Sequence, residues 1–237
     1  MNRNQDPMGK AIAEYWKTGK ADRLRVFSPM FDEDDIPLST LFRNYQSMPA
    51  IEQAAIDMAE GKTLDVGAGA GCHALELQAR GIDVTAIDIS PLSVETMRQR
   101  GVRKALEQDF FTLQGAEFDT VLMMMNGIGI VGSLFQMPRL FQQLDRILAP
   151  GGQLLCDSSD IKYVFETEDG TYEYPNADSY YGEVDFRMQY RDTVGATFPW
   201  LYIDPLTLAH VADSYGYMTE IVKRGKHFDF LARITKR

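Results

Sequence analysis

Cysteine is scarce in this chain of 237 residues, with only Cys72 and Cys156 present. Two cysteines so far apart exclude a disulfide-stapled fold and the close pairing of a zinc site. The three histidines, His73, His210 and His227, show no metal-ligand spacing either, so no metal is expected. Basic residues are in deficit, 24 Lys and Arg against 34 Asp and Glu, for a formal charge of −10. Affinity for nucleic acid comes largely from Lys and Arg neutralising phosphates, and no local basic patch offsets the acidity. No apolar run reaches the roughly 18 residues that a membrane helix needs. The nearest candidate, residues 121–135, is broken by Asn126 and three glycines. The opening MNRNQDPMGK lacks the apolar core of a signal peptide. These absences leave a cytoplasmic, non-membrane protein as the expectation.

What is present is ordinary globular composition, 45% hydrophobic and 24% charged, long enough for one large domain or a core with a cap. The stretch TLDVGAGAGCH (63–73) carries an apolar run, an acid at Asp65, and glycines at alternate positions 67, 69 and 71 before helix-forming sequence. It reads as strand, ligand-binding turn and helix. Downstream, strand and helix patterns alternate with short connections, which predicts a parallel sheet wrapped by helices. VTAID (84–88) is the second strand, and Ser90-Pro91 opens a helix with a cap and a first-turn proline. Residues 105–108 form a short third strand. FDTVLMMM (118–125) is apolar enough for a central strand buried on both faces. NGIGIVG (126–132) reads as a flexible turn, 137–148 as a helix, and the segment through Asp157 as a fifth strand.

Residues 183–192 alternate at period two, with Val184, Phe186, Met188 and Tyr190 on one face, and predict an antiparallel hairpin with 200–204. Asp204-Pro205 starts a further helix, and 218–223 and 228–234 are closing strands. Before the glycine turn, helices are expected at 9–20 and about 49–60, separated by a solvated loop holding the acid run 32–35. The expected organisation is a helical cover over 1–60 and a core over 61–237, with an insert at about 158–204.

A glycine turn alone does not choose a cofactor. Dinucleotide sites use G-x-G-x-x-G, and here Cys72 stands where the third glycine would be. Asp88, ending the second strand, can accept both hydroxyls of a ribose, and Asp109 with Phe110 can flank an adenine. Together TLDVGAGAG, TAIDIS, EQDF and LAPGG resemble the class I S-adenosylmethionine-dependent methyltransferases over about residues 62–157. The resemblance implies a Rossmann-like seven-stranded α/β sheet, mostly parallel with an antiparallel terminal hairpin. It also implies that Gly67, Ala68 and Gly69 lie against the methionine portion of S-adenosylmethionine and that Asp65 orients its amino group. Asp88 and Ile89 would meet the ribose, and Asp109 and Phe110 the adenine. Met125 and the upstream Arg43 complete the expected contacts.

On the acceptor side, the family places residues facing the transferred methyl after the fourth strand, which here points to Asn126. The Asn-Pro-Pro-aromatic signature of enzymes acting on planar amides and exocyclic amines is absent. Residues 157–185 carry nine acids against one base, Lys162, among several tyrosines. This pattern suggests an acidic, aromatic lid over a small neutral or cationic substrate, with Asp157 or Tyr181 as the base. G-x-S-x-G is absent, which removes a nucleophile elbow. A protein or RNA methyltransferase, a nicotinamide-dependent oxidoreductase and a non-catalytic cofactor binder stay open at this level.

Overall fold

A computed structural model describes residues 1–174 and 179–237. Asp6 caps the first helix, α1 (Pro7–Thr18), which has proline in its first turn and ends on Gly19 in the left-handed conformation. Two short strands, β1 (Leu24–Phe27) and β2 (Asp34–Ile36), precede α2 (Ala50–Met58). The alternating core then runs β3 (Lys62–Val66), α3 (Cys72–Ala79), β4 (Asp83–Asp88), α4 (Pro91–Gln99), β5 (Ala105–Glu107), β6 (Phe118–Met123), α5 (Met137–Ile147) and β7 (Leu148–Ser159). It continues with β8 (Glu183–Tyr190), β9 (Thr193–Val194), β10 (Phe198–Leu201), α6 (Pro205–Ser214), β11 (Tyr217–Arg224) and β12 (Asp229–Lys236).

The main sheet has the order β11-β12-β7-β6-β3-β4-β5. The pairs from β7 through β5 are parallel, and β12 joins β7 antiparallel. The expected seven strands and terminal hairpin are therefore all present. The chain runs outward from β3 to β5 and returns at β6, so the crevice between the carboxyl ends of β3 and β6 is the switch point where such sheets bind ligands. One apolar layer fills the face under α5 and α6, with Val121, Met123, Phe141 and Leu154 wholly buried. Another fills the opposite face, where Leu122 and Leu155 meet Leu77 and Met97. Consecutive residues of β6 thus point into different layers, which is why that strand is apolar throughout.

A second, antiparallel sheet lies over the carboxyl edge of the first, in the order β10-β8-β1-β2 with β9 also on β8. The predicted β8–β10 hairpin forms, with Trp200 opposite Val184. The amino-terminal segment departs from expectation, because it supplies two strands of this sheet in addition to helices. The acid run 32–35 is not a free loop: Asp34 and Asp35 belong to β2 and pair with Val26 and Arg25. Cross-strand ion pairs make this possible, with Arg25 on Glu33 at 2.6 Å and Arg23 on Asp35 at 2.5 Å. The NGIGIVG turn is likewise more ordered than predicted, since Gly127–Val131 form a one-turn helix.

Candidate active site

The site is built at the carboxyl ends of β3, β6 and β7. Gly67, Gly69 and Gly71 all have positive φ, at 66°, 56° and 83°. That explains their alternate spacing, since residues with a Cβ rarely adopt this conformation. The turn is pinned to β4 by the Ala68 N–H donating to the Ile87 carbonyl at 3.0 Å. A methyl placed on Gly67 would meet nothing within 4 Å, so the backbone of the turn faces open space.

Asp65 lies under this turn, almost wholly buried, and its Oδ2 has no partner among the described residues. Burial pushes its carboxyl up to about 6, opposed by the nearby His73 and by the Ala74 N–H. Beneath it, Glu52 of α2 meets His73 Nε2 at 2.8 Å and receives the Arg43 guanidinium on both oxygens. Burial works against the Glu52 charge, but these two hydrogen-bonded partners hold its pKa below the usual range. Burial also disfavours the His73 cation, yet the contacts with Cys72 and Glu52 raise its pKa well above normal. An unpaired buried acceptor beside open backbone is what a ligand carrying an ammonium group requires. The residues present therefore fit the methionine end of S-adenosylmethionine.

Asp88 ends β4 with both carboxylate oxygens engaged: Oδ2 accepts the Gly69 N–H at 2.9 Å and Oδ1 the Ser90 N–H at 2.8 Å. Its pKa is pushed up to about 6, mainly by burial, with the two N–H groups opposing. Each oxygen keeps a second lone pair for a ligand hydroxyl. Asp109 is exposed and caps the one-turn helix Phe110–Thr112, accepting the Phe111 N–H at 2.8 Å. Phe110 is buried, and Ile89 is exposed.

A cavity of about 760 Å³ opens from the glycine turn toward the second sheet. Of the residues singled out in the sequence, Asp65, Gly67, Ala68, Gly69, Met125 and Asn126 line it. Asp88, Ile89, Asp109, Phe110 and Arg43 lie outside its wall, the first four outward along the β4 and β5 ends. Met125 and Asn126 both take positive φ, 63° and 57°. Asp157 is buried below them and accepts the Asn126 N–H at 2.8 Å. Burial raises the Asp157 carboxyl to about 7, helped by nearby Glu52. The Asn126 side chain is fixed by the Ser158 hydroxyl, which donates to Oδ1 at 2.9 Å. Tyr181 does not line the cavity; its hydroxyl donates to Asp160 at 2.8 Å and its ring stacks on Tyr174. Part of the acidic insert, residues 175–178 with Asp178, lies outside the described residues.

The far wall was only partly legible. Trp200 and Tyr202 line it, and so do Phe186 and Met188 from the alternating face of β8. Met8, Val26, Phe31 and the acid run 32–35 line it as well, and nothing local in the sequence announces them. Among the described residues no group of His, Cys, Asp and Glu is arranged to hold a metal ion.

A family model for a methyltransferase domain matches residues 64–156. A SAM-dependent methyltransferase from Bacteroides fragilis, solved in complex with S-adenosyl-L-homocysteine, is 53% identical over 100% of this chain and 97% of its own, with a TM-score of 0.94. The chain belongs to the SAM-dependent methyltransferases. A ubiquinone biosynthesis O-methyltransferase from Xanthomonas oryzae pv. oryzae is 28% identical over 113 residues, which is 44% of this methyltransferase and 46% of that protein. The match thus spans under half the length of that relative. The CcbJ methyltransferase of Streptomyces caelestis shares the fold at 14% identity, with a TM-score of 0.64 and 98% of each chain covered. No helix among the described residues is long and apolar enough to cross a membrane.

Proposed function

We propose that this methyltransferase transfers a methyl group to an oxygen or nitrogen of a small neutral or cationic molecule. The observation that carries the proposal is the single cavity joining the glycine turn to the aromatic wall of the second sheet. At about 760 Å³ it falls in the size range of small-ligand sites, and it is roofed by protein on the acceptor side. S-adenosylmethionine, held there, supplies an electrophilic methyl on a sulfonium sulfur.

The chain's part is alignment, since in-line displacement demands position above all. Asp65 takes the ammonium group on its free oxygen, and the backbone at Gly67, Ala68 and Gly69 lies against the methionine portion. Asp88 takes the ribose, with Ile89 beside it, and Asp109 and Phe110 flank the adenine. Arg43 acts from below by fixing Glu52, and hence His73, under the turn. Asp157 holds the Asn126 backbone so that Met125 and Asn126 face the acceptor. Among the described residues the cavity wall carries Asp32, Glu33, Asp34, Asp35 and Asp65 and no Lys or Arg. Arg25 and Arg23 pair with Glu33 and Asp35 from outside the wall, and Asp65 serves the cofactor, so the repulsion of an anionic acceptor comes chiefly from Asp32 and Asp34. The two cysteines are buried free thiols, which supports a reducing cytoplasmic setting.

Incubation with trideuteromethyl-labelled cofactor and a mixed pool of small amines, phenols, carboxylates, peptides and RNA tests the reading by mass spectrometry. Label on small amines or phenols is expected. Label confined to carboxylates, peptides or RNA overturns it.

A further inference from the structure

Gly69 and the first turn of α1 are linked by four consecutive hydrogen bonds. Gly69 N–H donates to Asp88 Oδ2 at 2.9 Å, and Ser90 N–H donates to Asp88 Oδ1 at 2.8 Å. The Ser90 hydroxyl donates to Asp6 Oδ2 at 2.5 Å, and Asp6 Oδ1 accepts the Gly9 N–H at 2.7 Å. Asp6 and Ser90 are both almost wholly buried. Contact this close demands glycine at position 9: a Cβ there would stand 2.2 Å from Asp6 Oδ2 and 2.3 Å from Ser90 Oγ.

On its other side α1 carries the second sheet. Its wholly buried Ala11 and Ile12 share a cluster with Ala70 of the glycine turn, Leu24 of β1 and Tyr190 of β8. Lys10 Nζ donates to Thr193 at 2.8 Å, and Met8 lines the cavity itself. The seat of α1 therefore fixes both the loop that orients Asp88 and the sheet that roofs the acceptor.

We propose that Asp6 is a positioning residue that couples cofactor occupancy at Asp88 to the seating of α1 and the roof sheet, which rests on the assignment of Asp88 to the ribose. With one oxygen held by Gly69 and the other by Ser90, the plane of the Asp88 carboxylate is fixed and its remaining lone pairs have a set direction. Releasing Ser90 from Asp6 frees the 88–90 loop to turn that plane. Linkage is reciprocal, so bound cofactor must stabilise the docked helix by the factor by which docking strengthens cofactor binding.

The test combines calorimetry of S-adenosylhomocysteine binding with amide hydrogen exchange on the full chain. In the wild type, the ligand should slow exchange across α1. Asp6→Ala and Gly9→Ala should each bind at least about fivefold more weakly, the lower edge of typical couplings, and lose that ligand-dependent protection. Gly9→Ala is the sharper variant, because it keeps every polar group and by helix propensity alone would favour α1. Asp6→Asn, whose amide can still accept the Gly9 N–H and donate to the Ser90 hydroxyl, should recover most of the lost affinity. Wild-type affinity and protection in Gly9→Ala, or in Asp6→Ala with a cooperative melt, overturn the coupling. Asp88→Ala separates the two assignments: wild-type affinity in that variant removes the ribose assignment itself. Weakened binding in Asp88→Ala beside normal Asp6→Ala and Gly9→Ala removes only the coupling.

Discussion

Asp157 sits directly under Asn126 and accepts its backbone N–H at 2.8 Å. Both Met125 and Asn126 stand in the left-handed region, where a side chain costs roughly 1 kcal/mol or more, so this turn keeps its shape only with support from below. Replacing Asp157 by alanine would strand the Asn126 N–H above a buried layer. The expected loss is about 1–3 kcal/mol, read from denaturant unfolding. Asp157→Asn, which keeps an acceptor oxygen, should recover most of it. A loss in Asp157→Ala below about 0.5 kcal/mol, the scale of a bland surface change, would show that the turn stands unaided.

The same burial sets a direction for stability against pH. The carboxyls of Asp157, at about 7, and of Asp65 and Asp88, at about 6, are all raised chiefly by burial. Unfolded aspartate titrates near 3.9, so between these values the native state holds protons that the unfolded chain has released. The associated stability is full below the unfolded pKa and is lost as pH rises through 6 to 7. The raised His73 acts with the same sign. Asp157 alone implies roughly 2–3 kcal/mol more stability at pH 5 than at pH 8. Urea midpoints measured at pH 5, 6.5 and 8 should fall in that order. Midpoints that climb toward pH 8 would mean these carboxylates ionise normally.

The glycine turn and its partner acid were legible in the sequence because their requirements are local. Left-handed backbone at 67, 69 and 71 selects glycine, and an acid closing the neighbouring strand is met about twenty residues on. The roof was not legible, because it joins residues 24–27 to 187–190 across most of the chain. No local periodicity reports such a pairing, and the acid run resembles a solvated loop until Arg23 and Arg25 are placed across from it. The bonds of Asp88 to Gly69 and Ser90 were hidden for a similar reason, since they depend on where two loops meet.

Cofactor binding should follow the ionisation of the two acids beside the turn. A protonated Asp65 loses most of its attraction for an ammonium group, and a protonated Asp88 is a poorer acceptor for hydroxyls. Both carboxyls titrate at about 6 in the ligand-free protein. Affinity for S-adenosylhomocysteine should therefore hold above pH 7 and fall by up to about tenfold per carboxylate by one unit below its pKa. Calorimetry from pH 5 to 8 reads this directly, and Asp65→Asn should flatten part of the slope. An affinity unchanged at pH 5 would place neither acid against the ligand.

Gly129 and Trp200 offer a way to perturb the roof alone. A Cβ on Gly129 would stand 2.1 Å from the indole Nε1, and Gly129 has an ordinary negative φ, so its need to be glycine is steric. Trp200 lines the cavity on the acceptor side, away from the glycine turn, and is held edge-on against Phe198 with ring centroids 6.0 Å apart. Gly129→Ala must therefore push the indole, which cannot retreat without disturbing its neighbours, and overpacking of this kind typically costs about 1–3 kcal/mol. S-adenosylhomocysteine affinity should stay at the wild-type value, because no group beside Asp65 or Asp88 moves. KM for the methyl acceptor should rise by roughly tenfold or more, the scale of that energy if it falls on acceptor binding. Trp200→Ala, which empties the same wall instead of crowding it, should weaken acceptor binding without the loss of stability from overpacking. Equal losses of cofactor and acceptor binding in Gly129→Ala would show that the indole supports the glycine turn as well, and that the two halves of the cavity are not independent.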